Sequence, residues 1–295
     1  MNMHVLIFDI GGTKTRVALS HDGVVFESPI IFKTPKDPQA GIEKLHAAAQ
    51  ELLADVVPTH IVGGIRGVLN EDKTGIEHDE VLSSWMHFDV VAALAGYFND
   101  VPIQLENDTA LAGLGEAMCG VGKGIDLVVY HSISTGVGGV RIAHGVIDAA
   151  NAGFEPGHQV LDIDRTILGA DIVPTLENLV SGTALENRLG IKPYDIPQED
   201  VIWNELAGYL AQGLRNTILY WSPDVIVLGG SMMTGAPNIP LEAVRKATVA
   251  VLDGFVACPF ITIAELGDEA GLYGALALFK QAEKQKTKVT VRQGQ

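Results

Sequence analysis

The side chains best suited to chemistry in this chain are the acidic triplet Glu106, Asn107 and Asp108. Strand-forming residues precede the triplet at 101–105 and apolar residues at helical spacing follow it, so it lies where a buried strand turns into an amphipathic helix. A carboxylate at a helix start faces free backbone N–H groups and the positive end of the helix dipole, which favour its ionised form. We therefore expect Asp108 to be an anion at neutral pH and a candidate proton acceptor. The pattern also fits a simple helix cap, since Asn and Asp are common there.

Two short turns rich in glycine and threonine point to anion binding. The first, Gly11-Gly12-Thr13-Lys14, and the second, Thr135-Gly136-Val137-Gly138-Gly139, each join two strand-like runs. Glycines let the backbone approach a ligand closely, the hydroxyls of Thr13 and Thr15 can donate to phosphate oxygens, and Lys14 adds a cation. Neither turn is a Walker A loop or a Rossmann fingerprint, because no helix follows. A glycine hairpin is also a common structural turn, but the pair together indicates two phosphate-binding hairpins.

Other polar residues lie in loops or follow strands. Glu155 and His158 stand three residues apart in a loop, a spacing that also fits a surface ion pair. Glu177 opens a helical pattern. The glycines that follow strand-like runs, among them Gly67 and the pair 229–230, would form turns or leave room for a flat polar ligand. Carboxylates, an amide and an imidazole together suit a ligand with many hydroxyl groups.

The elements that must position these residues alternate between strands and helices. Apolar patterns predict strands near 5–10, 16–20, 61–62, 101–105, 127–130, 140–142 and 225–228, and helices near 41–55, 85–98, 110–118, 205–221 and 272–279. A chain of 295 residues is long enough for two domains of ordinary size. The length therefore suggests two domains, each built from strands and helices.

Composition and charge exclude several classes of protein. Hydrophobic residues make up 47% and charged residues 19%, as in ordinary globular proteins. The net charge of −16 disfavours nucleic acids and anionic membranes as partners, and no apolar run approaches the roughly 18 residues of a membrane span. Cys119 and Cys258 are too far apart to form a C-x-x-C pair, and the N-terminus does not read as a signal peptide. We expect a soluble, cytoplasmic protein.

Six motifs, in order, resemble those of the ROK family of sugar kinases and sugar-responsive repressors. They are F-D-I-G-G-T-K-T-R, L-E-N-D-T-A-L-A-G-L-G-E, S-T-G-V-G-G, E-P-G-H, L-E-N-L-V-S-G and V-I-V-L-G-G, and the resemblance extends from Asp9 to about Gly274. It implies an actin-like ATPase (ribonuclease H-like) fold of two α/β domains, with ATP and a sugar in the cleft between them. We accordingly expect an N-terminal domain at 1–117 and a C-terminal domain at 118–275, followed by a helix end and polar tail at 276–295.

The same resemblance implies roles for individual residues. Asp108 matches the family's catalytic base, and Asp9 would belong to the ATP site and orient Mg²⁺ through water. The other ATP-binding residues would be Gly11, Gly12, Thr13, Lys14, Thr135, Gly136, Gly138, Gly229 and Gly230. The sugar would be bound by Gly67, Asn107, Asp108, Glu155, His158 and Glu177. A base beside a hexose hydroxyl, with Mg²⁺ and N–H donors on the phosphoryl oxygens, is what phosphoryl transfer requires.

This sequence departs from the family in its zinc ligands. Many members bind zinc with one histidine and three cysteines, whereas this chain has Leu168, Ala170 and Thr175 at the cysteine positions. Because three of the four ligands are missing, we expect no zinc site, which leaves His158 free to bind sugar. Apolar residues would then have to hold the loop in place, namely Ile167, Leu168, Ile172 and Val173.

We interpret the sequence as an ATP-dependent kinase of a hexose or N-acyl-hexosamine. The alternative is a sugar-binding regulator without turnover. Repressors of the family carry a DNA-binding helix-turn-helix ahead of the first hairpin, and only eight residues precede Asp9 here, which disfavours a DNA-binding role. A catalytically dead interaction protein is disfavoured by the presence of Asp108 and both turns. Family members are commonly dimers, so the resemblance also implies a homodimer.

Overall fold

The computed structural model describes residues 3–98 and 101–293, with side chains up to residue 284. Of the predicted C-terminal tail, residues 294–295 and the side chains from 285 onward lie outside this described part. The chain forms two compact units. Unit 1 comprises Met1–Gly115, Ala149–Gly153 and Asp268–Gln295, and unit 2 comprises Glu116–Asp148 and Phe154–Gly267.

Unit 1 is built on a five-stranded sheet. Its elements are β1 (Val5–Ile10), β2 (Lys14–Ser20), β3 (Ile30–Lys33), α1 (Pro38–Leu53), β4 (His60–Ile65), β5 (Val68–Leu69), β6 (Ile76–His78), α2 (Val90–Ala95), β7 (Ile103–Asn107) and α3 (Asp108–Met118). The strand order is β3-β2-β1-β4-β7, and β5 pairs with β6 in a separate two-stranded sheet. β1 and β2 form an antiparallel hairpin, whereas β4 and β7 run parallel to β1.

The core of unit 1 explains why its sequence forms these elements. β1 is apolar at nearly every position because it lies in the middle of a sheet that is buried on both faces. Ile42 and Leu45 of α1 belong to the same core cluster as Phe8 of β1. Phe8 also dictates a glycine on the neighbouring strand, since a Cβ at Gly63 would lie 2.3 Å from its ring.

Unit 2 contains the second sheet. Its elements are β8 (Leu127–Ile133), β9 (Val137–Ala143), β10 (Val146–Ile147), α4 (Leu176–Val180), α5 (Gly182–Leu189), α6 (Ile202–Trp221), β11 (Val225–Gly229), α7 (Ser231–Thr234), α8 (Leu241–Leu252) and β12 (Phe260–Ile263). The strand order is β10-β9-β8-β11-β12. β8 and β9 form an antiparallel hairpin, and β11 and β12 run parallel to β8. The two sheets therefore share one topology, and the repeated strand–turn–strand pattern of the sequence corresponds to the hairpin in each sheet.

The last helix, α9 (Ala270–Gln293), belongs to unit 1, where it packs against β1 and β4. Close contact with α3 requires small residues, since a Cβ at Gly274 would lie 1.8 Å from the Leu111 carbonyl oxygen. Residues 268–275 are thus in unit 1, although the sequence prediction assigns them to the C-terminal domain. The division into domains stays a prediction.

The mixed α/β class is confirmed, but several individual elements differ from the sequence prediction or are absent from it. The predicted helix near 85–98 is a short 3-10 helix at Ser83–Trp85 followed by α2. The helix is interrupted because Met86 is extended and His87 has a φ of +61°. The sequence patterns also did not predict α8 and β12, which complete unit 2.

Candidate functional site

The parallel strands of unit 1 bring the first group of site residues together. Asp9 on β1 is in register with Gly64 on β4, and Gly64 is in register with Glu106 on β7. A Cβ at Gly64 would lie 3.2 Å from the Asp108 Cα and 3.6 Å from Asp9 Oδ1. The carboxyl ends of neighbouring parallel strands are common ligand sites in α/β sheets. Asp9 and Asp108 are therefore neighbours at one edge of the sheet, separated by a glycine.

The three residues of the acidic triplet have different structural tasks. Glu106 is buried and forms an ion pair with Lys73. Asn107 caps α3, since its Oδ1 accepts a hydrogen bond from the Ala110 N–H at 2.9 Å. Its amide nitrogen donates to the Gly67 carbonyl at 2.9 Å, which ties two predicted sugar-binding residues together. The capping alternative thus applies to Asn107.

Asp108 uses only one of its two oxygens in these local contacts. Oδ1 accepts from the Thr109 N–H at 2.7 Å and from its hydroxyl at 3.3 Å. For Oδ2, the described residues offer no hydrogen-bond donor. Burial raises the pKa of Asp108, although Arg66 and the Thr109 hydrogen bonds lower it. The N–H group at the helix start lowers this pKa, as expected, but desolvation outweighs it.

Asp9 is the second unusual carboxylate of unit 1. Burial, reinforced by the negative charges of Asp108 and Asp268, raises its pKa to about 7, although Arg16 acts in the opposite direction. The Arg16 guanidinium lies 3.8 Å from Asp9 and donates to Asp268 at 2.5 Å. Sequence reasoning missed Arg16. The signal was available, because a hairpin folded about the first glycine turn pairs residue 9 with residue 16.

The first glycine turn is held by its own backbone and by hydroxyl groups. The Gly11 N–H donates to the Lys14 carbonyl at 3.0 Å, and the Thr34 hydroxyl donates to the Gly11 carbonyl at 2.8 Å. Thr13 and Lys14 are exposed and available to a ligand. Thr15 is buried, and its hydroxyl lies 3.0 Å from that of Thr34, so the expected role of Thr15 as a phosphate donor is wrong.

An ion pair between Arg66 and the buried Asp79 lies beside this turn. Arg66 Nε donates to Asp79 at 3.0 Å, and Asp79 also accepts from the backbone N–H of Leu82 at 2.5 Å. A Cβ at Gly12 would lie 3.2 Å from Arg66 Nη1. Gly67, with a φ of +101°, lies against Asp79 and accordingly needs to be glycine. Sequence reasoning missed Arg66 and Asp79, since nothing in their spacing links them.

In unit 2, Glu177 lies directly on the second glycine turn. Its Oε2 accepts a hydrogen bond from the Val137 N–H at 2.7 Å. A Cβ at Gly136 would lie 2.5 Å from the same oxygen, so only glycine leaves room for this carboxylate. The structure thus places a predicted sugar-binding residue against predicted phosphate-binding residues.

The loop carrying Glu155 and His158 packs on the same turn. Residues Pro156–His158 form a 3-10 helix, and a Cβ at Gly157 would lie 2.2 Å from the Val137 carbonyl oxygen. The side chains of Glu155 and His158 are exposed. The loop therefore sits against β9 while presenting both polar side chains outward.

Gly229 ends β11 and Gly230 follows it, and packing alone explains why both are glycine. A Cβ at Gly229 would lie 2.2 Å from the Tyr130 hydroxyl. Gly230 has a φ of +83°, and its Cβ would lie 2.4 Å from the Ile133 carbonyl oxygen. Packing therefore explains both glycines without a ligand, and their assignment to ATP binding stays a prediction.

The fit to metal ions differs between Mg²⁺ and zinc. Among the described residues, no three His, Cys, Asp or Glu side chains are grouped to hold a metal ion. Mg²⁺ often keeps several waters and binds through one or two carboxylates and substrate phosphates. Asp9 fits that mode, because a cation would neutralise the charges that raise its pKa. Zinc does not fit, since Leu168, Ala170 and Thr175 supply no thiolate.

The loop without zinc is held differently from the sequence prediction. Leu168 is buried at 8% exposure and joins the core of unit 2, as expected. Ile167, Ile172 and Val173 are 43%, 37% and 61% exposed, so the expectation that they pack the loop is wrong. Polar groups replace them: the buried Asp162 carboxylate accepts N–H groups of the loop, the shortest of these bonds being 2.8 Å to Leu168.

Comparison with known proteins agrees with these observations. Within the described ranges, no helix is both long and apolar enough to cross a membrane. A fructokinase from Pediococcus pentosaceus is 32% identical over 210 residues, which cover 68% of this chain and 71% of that protein. The crystal structure of the ROK hexokinase from Thermus thermophilus is 28% identical with a TM-score of 0.81 and covers 96% of this chain and 100% of that one.

A third relative shares the fold at lower identity. The ROK family glucokinase from Streptomyces griseus, solved with glucose and AMPPNP, is 22% identical with a TM-score of 0.78 and covers 93% of this chain and 98% of that one. These structures confirm the actin-like ATPase fold. The ROK family model matches residues 5–282. Motifs, topology and this match agree, and the chain belongs to the ROK family.

Proposed function

We propose that this protein is an ATP-dependent sugar kinase in which Asp108 is the general base. The acceptor is a hydroxyl of a hexose or an N-acyl-hexosamine. The observation that carries the proposal is the division of tasks at the start of α3. Asn107 caps the helix, so Asp108 keeps Oδ2 for a ligand. The similarity to proteins named fructokinase, hexokinase and glucokinase supports a sugar as acceptor.

The environment of Asp108 suits proton transfer from an alcohol. A sugar hydroxyl is a poor nucleophile until a base within hydrogen-bond distance accepts its proton. The raised pKa of Asp108 makes its carboxylate a stronger base than an exposed aspartate. Oδ1 is held by Thr109, which fixes the carboxylate plane while Oδ2 accepts the proton.

Sugar recognition is assigned to four polar side chains, of which Asn107 and Glu177 keep a polar atom for a ligand. Asn107 donates one amide hydrogen to Gly67 and retains a second one for a hydroxyl. Glu177 binds the Val137 N–H through Oε2, which leaves Oε1 for a hydroxyl. Glu155 and His158 present a carboxylate and an imidazole on a loop fixed against β9. This set matches the alternating donors and acceptors of a polyol.

ATP binding is assigned to the two glycine turns. Thr13 and Lys14 provide exposed donors in unit 1, whereas in unit 2 Gly136 lies in the turn and Gly138 lies at the start of β9. Asp9 would hold Mg²⁺ through water, and the ion would neutralise charge on the phosphoryl oxygens. The AMPPNP bound in the Streptomyces griseus glucokinase supports ATP as donor.

The proposal is tested by incubating the purified protein with ATP, Mg²⁺ and a panel of hexoses and N-acyl-hexosamines, with the product identified by mass spectrometry. A sugar kinase consumes ATP in proportion to one or more sugars and yields a sugar phosphate. ATP consumption without sugar is the control. Calorimetric binding of a sugar without any phosphorylated product would instead establish the regulator alternative.

A further inference from the structure

The segment between His158 and Glu177 is a loop whose two ends are hydrogen-bonded to each other. The Leu176 N–H donates to the Gln159 carbonyl at 2.9 Å, and the Leu161 N–H donates to the Pro174 carbonyl at 2.8 Å. The loop thus begins directly after one predicted sugar-binding residue and ends directly before another. Contacts that hold the interior of the loop therefore also fix the backbone positions of these two residues.

In the first half of the loop, an aspartate binds backbone N–H groups. Asp162 is 3% exposed, and its carboxylate accepts hydrogen bonds from the backbone N–H groups of residues 166–168. The distances are 3.1 Å for Thr166, 3.1 Å for Ile167 and 2.8 Å for Leu168. Hydrogen bonds to an ionised acceptor are stronger than neutral ones. One side chain therefore gathers three consecutive N–H groups.

In the second half of the loop, an arginine binds backbone carbonyl groups. Arg165 Nη1 donates to the carbonyls of Ala170 at 2.9 Å and Ile172 at 2.7 Å. Arg165 itself has a φ of +59°, which turns the chain so that its N–H donates to the Asp162 carbonyl at 3.1 Å. Asp162 thus binds N–H groups of this loop, and Arg165 binds its carbonyl groups.

The closed loop is connected to the helix that carries Glu177. Thr175 caps α4 by accepting from the Asn178 N–H at 3.3 Å. The Asn178 side chain donates to the Val173 carbonyl at 3.0 Å. The loop and the start of α4 are therefore held as one piece, and Glu177 lies between these two contacts.

We propose that Asp162 and Arg165 are positioning residues, which hold the sugar-binding loop by hydrogen bonds where related proteins use zinc. They act through His158 and Glu177 and do not touch the sugar. The inference rests on the proposed function, since it concerns how the acceptor is bound. It follows from a loop that lacks thiolates yet has both its N–H groups and its carbonyls bound by two charged side chains.

The test compares Asp162→Asn with the matched control Asp171→Asn. Asp171 is exposed in the same loop, and the described residues offer it no hydrogen-bond partner, so its change removes a charge without a contact. Asp162→Asn replaces one acceptor oxygen by an amino group that faces backbone N–H groups. We expect sugar affinity to fall at least about tenfold, the value of one charge-assisted hydrogen bond, with little change in the KM for ATP.

Two measurements on the full chain decide the outcome. Hydrogen–deuterium exchange of the peptide covering residues 163–170 should be at least about tenfold faster in Asp162→Asn than in the control, because its N–H groups lose their acceptor. Calorimetry with D-glucose, D-fructose and N-acetyl-D-mannosamine as probes should show weaker sugar binding in Asp162→Asn alone.

If hydrogen–deuterium exchange of this peptide is the same in Asp162→Asn and the control, Asp162 does not hold the loop in place. Faster exchange with unchanged sugar affinity would overturn its positioning role, as would an equal loss of affinity for ATP and sugar. Because exchange and calorimetry do not depend on turnover, they decide the inference separately from the kinase assay. A wild-type protein that binds sugar without phosphorylating it would remove only the proposed activity.

Discussion

The carboxylates of unit 1 and unit 2 are both shielded from water, yet they have opposite surroundings. In unit 1, burial raises the pKa of Asp9 to about 7 and also raises that of Asp108. In unit 2, burial acts against ionisation of Asp162, but N–H groups of Leu168, Ile167 and Thr166 lower its pKa. Glu177 likewise accepts a backbone N–H. A buried carboxylate with few donors is a reactive base, whereas one with several donors holds structure.

The largest expected stability effect concerns Asp9. Because its pKa is raised on folding, the proton is bound more tightly in the folded than in the unfolded state. The resulting stability is complete below about pH 4 and is lost as the pH rises through about 7. Arg16, Asp108 and Asp268 face this group and set the shift. The free energy of unfolding should therefore fall by about 1 to 4 kcal/mol between pH 5 and pH 8.

Urea denaturation at both pH values, in the wild type and in Asp9→Asn, measures this effect. The variant has no carboxylate to ionise, so its stability should depend less on pH. Asp55→Asn, which removes an exposed carboxylate in the same unit, serves as the control and should keep the wild-type dependence. An equal dependence in the wild type and Asp9→Asn would show that Asp9 is not the source.

A smaller effect is expected from Gly136→Ala in unit 2. The added Cβ would lie 2.5 Å from Glu177 Oε2 and must displace that carboxylate from the Val137 N–H. The KM for sugar should rise about tenfold, in line with the loss of one charge-assisted hydrogen bond. Gly208→Ala in α6 is the control, because a Cβ there meets open space. Steady-state kinetics in which the sugar KM stays at the wild-type value would separate Glu177 from sugar binding.

The smallest expected effect is that of a zinc-selective chelator. The three cysteine positions hold Leu168, Ala170 and Thr175, and the loop has Asp162 and Arg165 instead. Activity assayed with Mg²⁺ restored, and the thermal midpoint, should both be unchanged. Elemental analysis that finds one tightly bound zinc per chain would contradict this prediction.

The sequence predicts the two repeated hairpins because they are local. Each sheet begins with a strand, a glycine turn and a second strand, and such patterns lie within about 16 consecutive residues. Arg16 is also local, since the hairpin pairs it with Asp9. The triplet at 106–108 is placed by the switch from strand to helix.

Other features depend on residues that are distant in sequence or on burial. The Arg66–Asp79 pair joins residues 13 positions apart, and no periodicity predicts it. The net rise of the Asp108 pKa could not be predicted, because a sequence reveals the helix start but not the degree of burial. Asp162 lies only four to six residues from the N–H groups it binds, yet the sequence does not specify a loop that brings them to one carboxylate.

The central claim is that Asp108 acts on the transition state. It is tested by single-turnover phosphorylation and calorimetric sugar binding on one preparation of Asp108→Asn. The amide keeps the size of the side chain but cannot accept the proton, so the rate should fall by about 10² to 10⁴. Sugar affinity should change by about tenfold or less. A single-turnover rate close to that of the wild type would contradict the account.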